Sequence, residues 1–68
     1  MKLFRIETKK DGIRYITEDN KYRIQKANRN AVWKVLEITG HGHKVIEIFD
    51  YFHEARKYLK EILEGQTV

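Results

Sequence analysis

Apolar and polar residues alternate along the first three quarters of the chain, and near residue 50 the period changes. A period of two belongs to strands, where successive side chains point to opposite faces. Residues 3–8 set Phe4 and Ile6 against Arg5 and Glu7, and residues 13–17 set Ile13 and Tyr15 against Arg14 and Ile16. Residues 21–27 place Tyr22 and Ile24 on one face, with Arg23 and Gln25 on the other. In the longest run, 31–39, Trp33 and Val35 share one face, while Val32, Lys34, Leu36 and Ile38 share the other. A fifth run, 43–49, closes the series. From Phe52 the apolar positions fall at Ala55, Leu59, Ile62 and Leu63, the three-and-four spacing of one helix face.

The breaks between these runs are short and carry turn chemistry. Asp11-Gly12 is a tight-turn pair, Glu18-Asp19-Asn20 and Asn28-Arg29-Asn30 are polar turns, and Gly40-His41-Gly42 is permissive. Connections of this length join antiparallel neighbours, because a parallel pair needs a crossover of a dozen residues or more. The expected fold is α+β: a four- or five-stranded antiparallel meander over 2–49, with one C-terminal helix over 50–64 packed on one face. The expected core sets Phe4, Ile6, Tyr15, Tyr22, Ile24, Trp33, Val35, Ile46 and Ile48 against Phe52, Ala55, Leu59 and Ile62. Asp50 is the expected N-cap, with Tyr51 the alternative, and Gly65 sits where a left-handed residue ends a helix. The first strand can pair within the chain or between chains.

Sixty-eight residues make a single small domain. A chain of this size buries only about 60% of its unfolded surface, so its stability is expected to be modest. The absence of cysteine removes disulfides and thiolate metal sites and fits a reducing, cytoplasmic setting. No apolar run approaches the roughly 20 residues that span a bilayer, and charge interrupts the N-terminal stretch too soon for a signal peptide.

Charge adds the main functional clue. Residues 1–34 hold ten Lys or Arg against four Asp or Glu, a balance of +6, while 35–68 hold four against six, a balance of −2. The strand-forming half is therefore the basic half, a distribution suited to a polyanionic or acidic partner. Arg5, Arg14, Arg23 and Lys34 fall on the outward parity of four successive strands, with Lys9, Lys10, Lys26 and Arg29 at the strand ends. Such a face can neutralise phosphates, and a two- or three-stranded ribbon fits a major groove. The plainer reading is an ordinary solvated face, with Glu7 and Glu47 diluting its field. Val32, Leu36 and Ile38 share that outward parity with Ile16, Val45 and Phe49. Either the sheet curls to bury them or they mark a protein interface.

Catalytic signatures are missing. No nucleophile and base are paired, no phosphate-cradling loop occurs, and a sheet with one helix offers little concavity for a small substrate. His41-x-His43 with His53 is the one metal-like constellation, and it lacks a full ligand set, so no metal or other cofactor is expected. Of the aromatic residues, Trp33 and Tyr22 read as core, and Tyr51 and Tyr58 as helix flank with wet hydroxyls.

Phe49-Asp50 followed by Glu54-Ala55 resembles the AP2-like, arm-type DNA-binding N-terminal domains of phage and transposon tyrosine recombinases. In those, an aromatic closes the last strand, a cap follows, and a Glu-Ala pair opens the helix. The resemblance spans residues 20–63 on those few positions. It implies a three-stranded sheet laid in the DNA major groove, with Arg23, Gln25 and Lys34 as readers. No recombinase catalytic domain follows, so the resemblance points to a free-standing phage or mobile-element accessory protein. The expected function is a non-enzymatic module binding nucleic acid through Arg5, Arg14, Arg23, Gln25 and Lys34. The alternative is a protein-interaction or homodimerisation module, a modulator of a host protein, using Val32, Leu36 and Ile38.

Overall fold

The computed structural model describes residues 2–27 and 31–65; Asn28-Arg29-Asn30, with Arg29 of the basic set, lies outside them. Five strands follow one another: β1 (Leu3–Thr8), β2 (Gly12–Thr17), β3 (Tyr22–Lys26), β4 (Trp33–Thr39) and β5 (Gly42–Phe49), before α1 (Phe52–Leu63). They form one antiparallel sheet in the order β1-β2-β3-β4-β5, so each strand pairs with its neighbours in sequence. This is the meander that the short connections require.

Turn chemistry sets the registers. Gly12 takes φ 86° where β2 begins, and the Asp11 N–H donates to Thr8 Oγ1 at 2.9 Å. Thr8 therefore lies opposite Gly12, and the whole β1–β2 register counts back from that pair. Between β2 and β3, Asp19 organises the chain: its carboxylate accepts from the Thr17 hydroxyl at 2.8 Å and from the Lys21 N–H at 3.0 Å. Thr17 Oγ1 also accepts the Tyr22 N–H at 3.1 Å, so a buried hydroxyl closes the hairpin. Those hydrogen bonds to the charged form, the Lys21 amide first and the Thr17 hydroxyl second, hold the Asp19 carboxyl below the usual aspartate range.

α1 lies over β3, β4 and β5. Ile24, Val35, Ala55 and Leu59 are fully buried between helix and sheet. Each such branched side chain contributes about 1.5–3 kcal/mol by leaving water. Phe52 at the start of α1 meets Tyr15 at 4.5 Å and Trp33 at 5.1 Å between ring centroids, and Phe49 meets Tyr58 at 5.3 Å. The helix begins one residue later than Asp50 allows: Tyr51 is the N-cap, and no side chain bonds to the first-turn amides. It ends as expected, with Gly65 at φ 69°.

Two strands depart from the expected facing. In β1, Arg5 lies opposite Tyr15 and Phe4 opposite Ile16. Directly opposed residues share a face, so Arg5 and Glu7 take the side of the sheet that carries the helix, and Phe4 and Ile6 take the other. The expected core positions for Phe4 and Ile6 are thus overturned. Leu3, on the helix side, packs against the core instead. In β5 a bulge falls opposite Val35 and Leu36: Val35 faces Glu47, while Leu36 faces Val45. The extra residue, Ile46, packs toward the core as expected, and beyond it the alternation slips by one. The slip turns Ile48 outward and Phe49 inward, the reverse of the expected pair.

Candidate nucleic-acid interface

The face without the helix is assembled from cross-strand rows. One row runs Ile6, Arg14, Gln25, Lys34, Ile48 from β1 to β5; the next runs Phe4, Ile16, Arg23, Leu36, Val45. Ile38 and His43 stand opposite each other beyond them. Of the five expected nucleic-acid residues, Arg14, Arg23, Gln25 and Lys34 are gathered on neighbouring positions of three adjacent strands. Arg5 is separated from them: it sits on the other side, ion-paired to Glu7 at 3.0 Å. Glu7 leaves with it, and Glu47 is set opposite Val35 by the bulge, where its carboxylate accepts the Ile48 N–H at 3.1 Å.

The two rows therefore contain cations, one amide and apolar side chains, and no carboxylate. One carboxylate reaches them from a turn: Asp11 Oδ2 lies 3.3 Å from Arg14 Nη2. The Nε donors of Arg14 and Arg23 are covered and have no acceptor within hydrogen-bonding distance. A covered donor without an acceptor is unfavourable by about 1–3 kcal/mol. Both arginines lie low on the sheet, with Arg23 between Ile16 and Leu36 across the strands.

The apolar part of this face is divided. Leu36 is only 2% exposed although no helix covers it, so this expected interface residue is enclosed by its own sheet face. Ile38 is half-buried, and Val32 precedes β4 rather than belonging to it. The open apolar surface lies at the flanks instead: Phe4 46% and Ile6 42% exposed on β1, Val45 42% and Ile48 50% on β5. Counting the register back from the Asp11-Gly12 turn sets Phe4 opposite Ile16, a signal for the β1 pair that lies within the sequence. The bulge that releases Ile48 has no such signal, since Val45 to Phe49 contains neither glycine nor proline.

The other candidates are dispersed. His41 lies in the β4–β5 turn, His43 on β5 and His53 on α1, where its ring stacks on Tyr51 at 5.6 Å. Among the described residues no group of three His, Asp or Glu is placed to hold a metal ion. Trp33 and Tyr22 pack against the core, with Lys26 Nζ 5.8 Å from the Trp33 ring. A depression of about 450 Å³ between α1 and β5, lined by Phe49, His53, Glu54, Lys57, Tyr58 and Glu61, opens broadly to solvent. No helix among the described residues is long and apolar enough to cross a membrane. No protein-family model matches the chain, and comparison with curated proteins and with solved structures found no match.

Proposed function

We propose that this protein is a non-enzymatic module, working in the cytoplasm, that binds nucleic acid through the helix-free face of its sheet. The observation that supports this reading is the grouping of Arg14, Arg23, Gln25 and Lys34 on β2, β3 and β4, in rows to which the strands add no carboxylate. Three strands span about 10 Å at their usual spacing, inside the roughly 12 Å width of a DNA major groove. Arg and Lys contact phosphates and guanine edges, and Gln pairs with adenine. Arginines with covered, acceptor-less Nε atoms gain charge-assisted bonds when drawn onto a phosphate. The resemblance to the recombinase arm-binding domains places its readers at three of the same four positions, which accords with a phage or mobile-element accessory role.

Titration with duplex and single-stranded DNA at two salt concentrations tests the proposal. Micromolar binding that weakens steeply with salt is expected, together with its loss in the Arg14→Glu, Arg23→Glu double variant. Unchanged affinity in a folded double variant would overturn it.

The exposed Phe4, Ile6, Val45 and Ile48 favour a second reading, an acidic protein surface with apolar anchors, as in a modulator of a host protein. Absence of DNA binding at low salt would select that reading over the first.

A further inference from the structure

The sheet has two free edges, and they differ. On β5 the edge is blunted: a bulge bends the strand, and the Ile48 N–H is already taken by its neighbour's carboxylate, Glu47 Oε1. Among the described residues β1 has neither a bulge nor a side-chain acceptor on a strand amide, and the charges it carries, Arg5 and Glu7, are of opposite sign and so can pair across the edge rather than repel a second strand. Leu3–Thr8 pairs with β2 in unbroken register over six residues, it has no proline, and α1 lies over β3, β4 and β5 rather than over it, with only Leu3 packing toward the core. An unbulged edge of this kind presents unpaired N–H and C=O groups to another strand.

We propose that β1 pairs antiparallel with β1 of a second copy of this chain, Ile6 opposite Ile6, joining two sheets into one of ten strands. The charge pattern selects both the occupant and the register. A two-fold axis through an antiparallel pair must set one residue opposite its own copy. For a strand of six, two such registers keep five residues paired: one centred on Arg5 and one on Ile6. The first sets Arg5 against Arg5, which is repulsive. The second sets Arg5 against Glu7 of the second copy and Glu7 against its Arg5, with Phe4 opposite Thr8. The intrachain Arg5–Glu7 pair at 3.0 Å then becomes half of a four-charge square of alternating sign. Both helices lie on one side of the joined sheet, both cationic faces lie on the other, and Ile6 is covered from the side. Face-to-face association of two copies through the helix-free surface would instead oppose Arg14, Arg23 and Lys34 to like charges, which makes that face the less favourable self-contact.

Sedimentation equilibrium of the whole protein from 10 to several hundred micromolar tests the proposal. The unmodified protein is expected to show a dimer. Arg5→Glu and Glu7→Arg, each alone, are expected to raise the dimer Kd tenfold or more while circular dichroism stays unchanged. Mixing these two variants in equal amounts is expected to restore a dimer, because every cross-strand pair is again of opposite sign. That restoration cannot arise from the pair within one chain. Ile6→Lys supplies an independent disruption at the two-fold. A monomer throughout the concentration range, a dimer indifferent to all three substitutions, or failure of the mixed variants to associate would overturn the proposal. Arg5 and Glu7 lie on the helix side, away from the proposed nucleic-acid face, so DNA binding by a monomeric Arg5→Glu or Glu7→Arg variant leaves the two ideas separable; Ile6 lies on that face beside Arg14, so Ile6→Lys is read by association state alone.

Discussion

At the scale of single residues, burial on this sheet depends on neighbours more than on the helix. Leu36 has no helix above it and is nevertheless enclosed. Leu36→Ala is expected to destabilise the fold by about 2–4 kcal/mol, as a core truncation does. Val45→Ala, directly opposite but 42% exposed, should cost less than about 1 kcal/mol. Urea unfolding of both variants checks the contrast. Asp19 shows a different kind of residue effect. Hydrogen bonds from Lys21 and Thr17 lower its pKa in the folded chain, so its carboxylate stabilises the fold above the ordinary aspartate range. That contribution is lost as pH falls through the lowered folded value. Asp19→Asn keeps an acceptor oxygen but does not titrate. Its unfolding midpoint should respond less to acid than that of the unmodified protein as pH falls through and below the ordinary aspartate range.

At the scale of elements, α1 has a well-made end and an unfinished beginning. Gly65 at φ 69° ends it in the conformation glycine adopts at least cost, and the Gly65 N–H bonds the Ile62 carbonyl at 3.1 Å. Tyr51 occupies the N-cap without offering a side-chain acceptor. Tyr51→Ser supplies one, and should stabilise the protein by about 0.5–1 kcal/mol, read as a thermal midpoint raised by a few degrees. A midpoint that falls would show that the Tyr51–His53 stacking outweighs the cap. Among the strands, β5 carries the decisive irregularity. One extra residue keeps Ile46 on the core, brings Phe49 to Tyr58, and leaves Ile48 in water.

At the scale of the whole molecule, one sheet separates two chemistries. The helix side is closed by aromatic and aliphatic packing; the other side combines a cationic centre with apolar flanks. If Arg14, Arg23 and Lys34 each contact one phosphate of duplex DNA, log K should fall against log salt with a slope of about −2.7 for each protomer. A slope near zero with retained affinity would show that these cations do not meet phosphates. If β1 also joins two copies, the observed slope per complex should double, since both cationic faces lie on one side.

The sequence by itself determined an antiparallel meander and the single covering helix, because short turn-rich connections and a change of apolar period leave little else; it left open whether the sheet has four strands or five and whether the first pairs within the chain, which the β1–β2 ladder decides. It also determined the parity of β2, β3 and β4, and hence the shared facing of Arg14, Arg23, Gln25 and Lys34. The facing of β1 was legible only through the register set by Asp11-Gly12. Its own alternation pointed Phe4 and Ile6 to the core, and the helix does not extend over β1 to enforce that choice. Tertiary structure alone decided the bulge in β5 and the enclosure of Leu36. Each depends on how strands lie beside one another, and a strand's own pattern carries no information about where its partner slips by one residue.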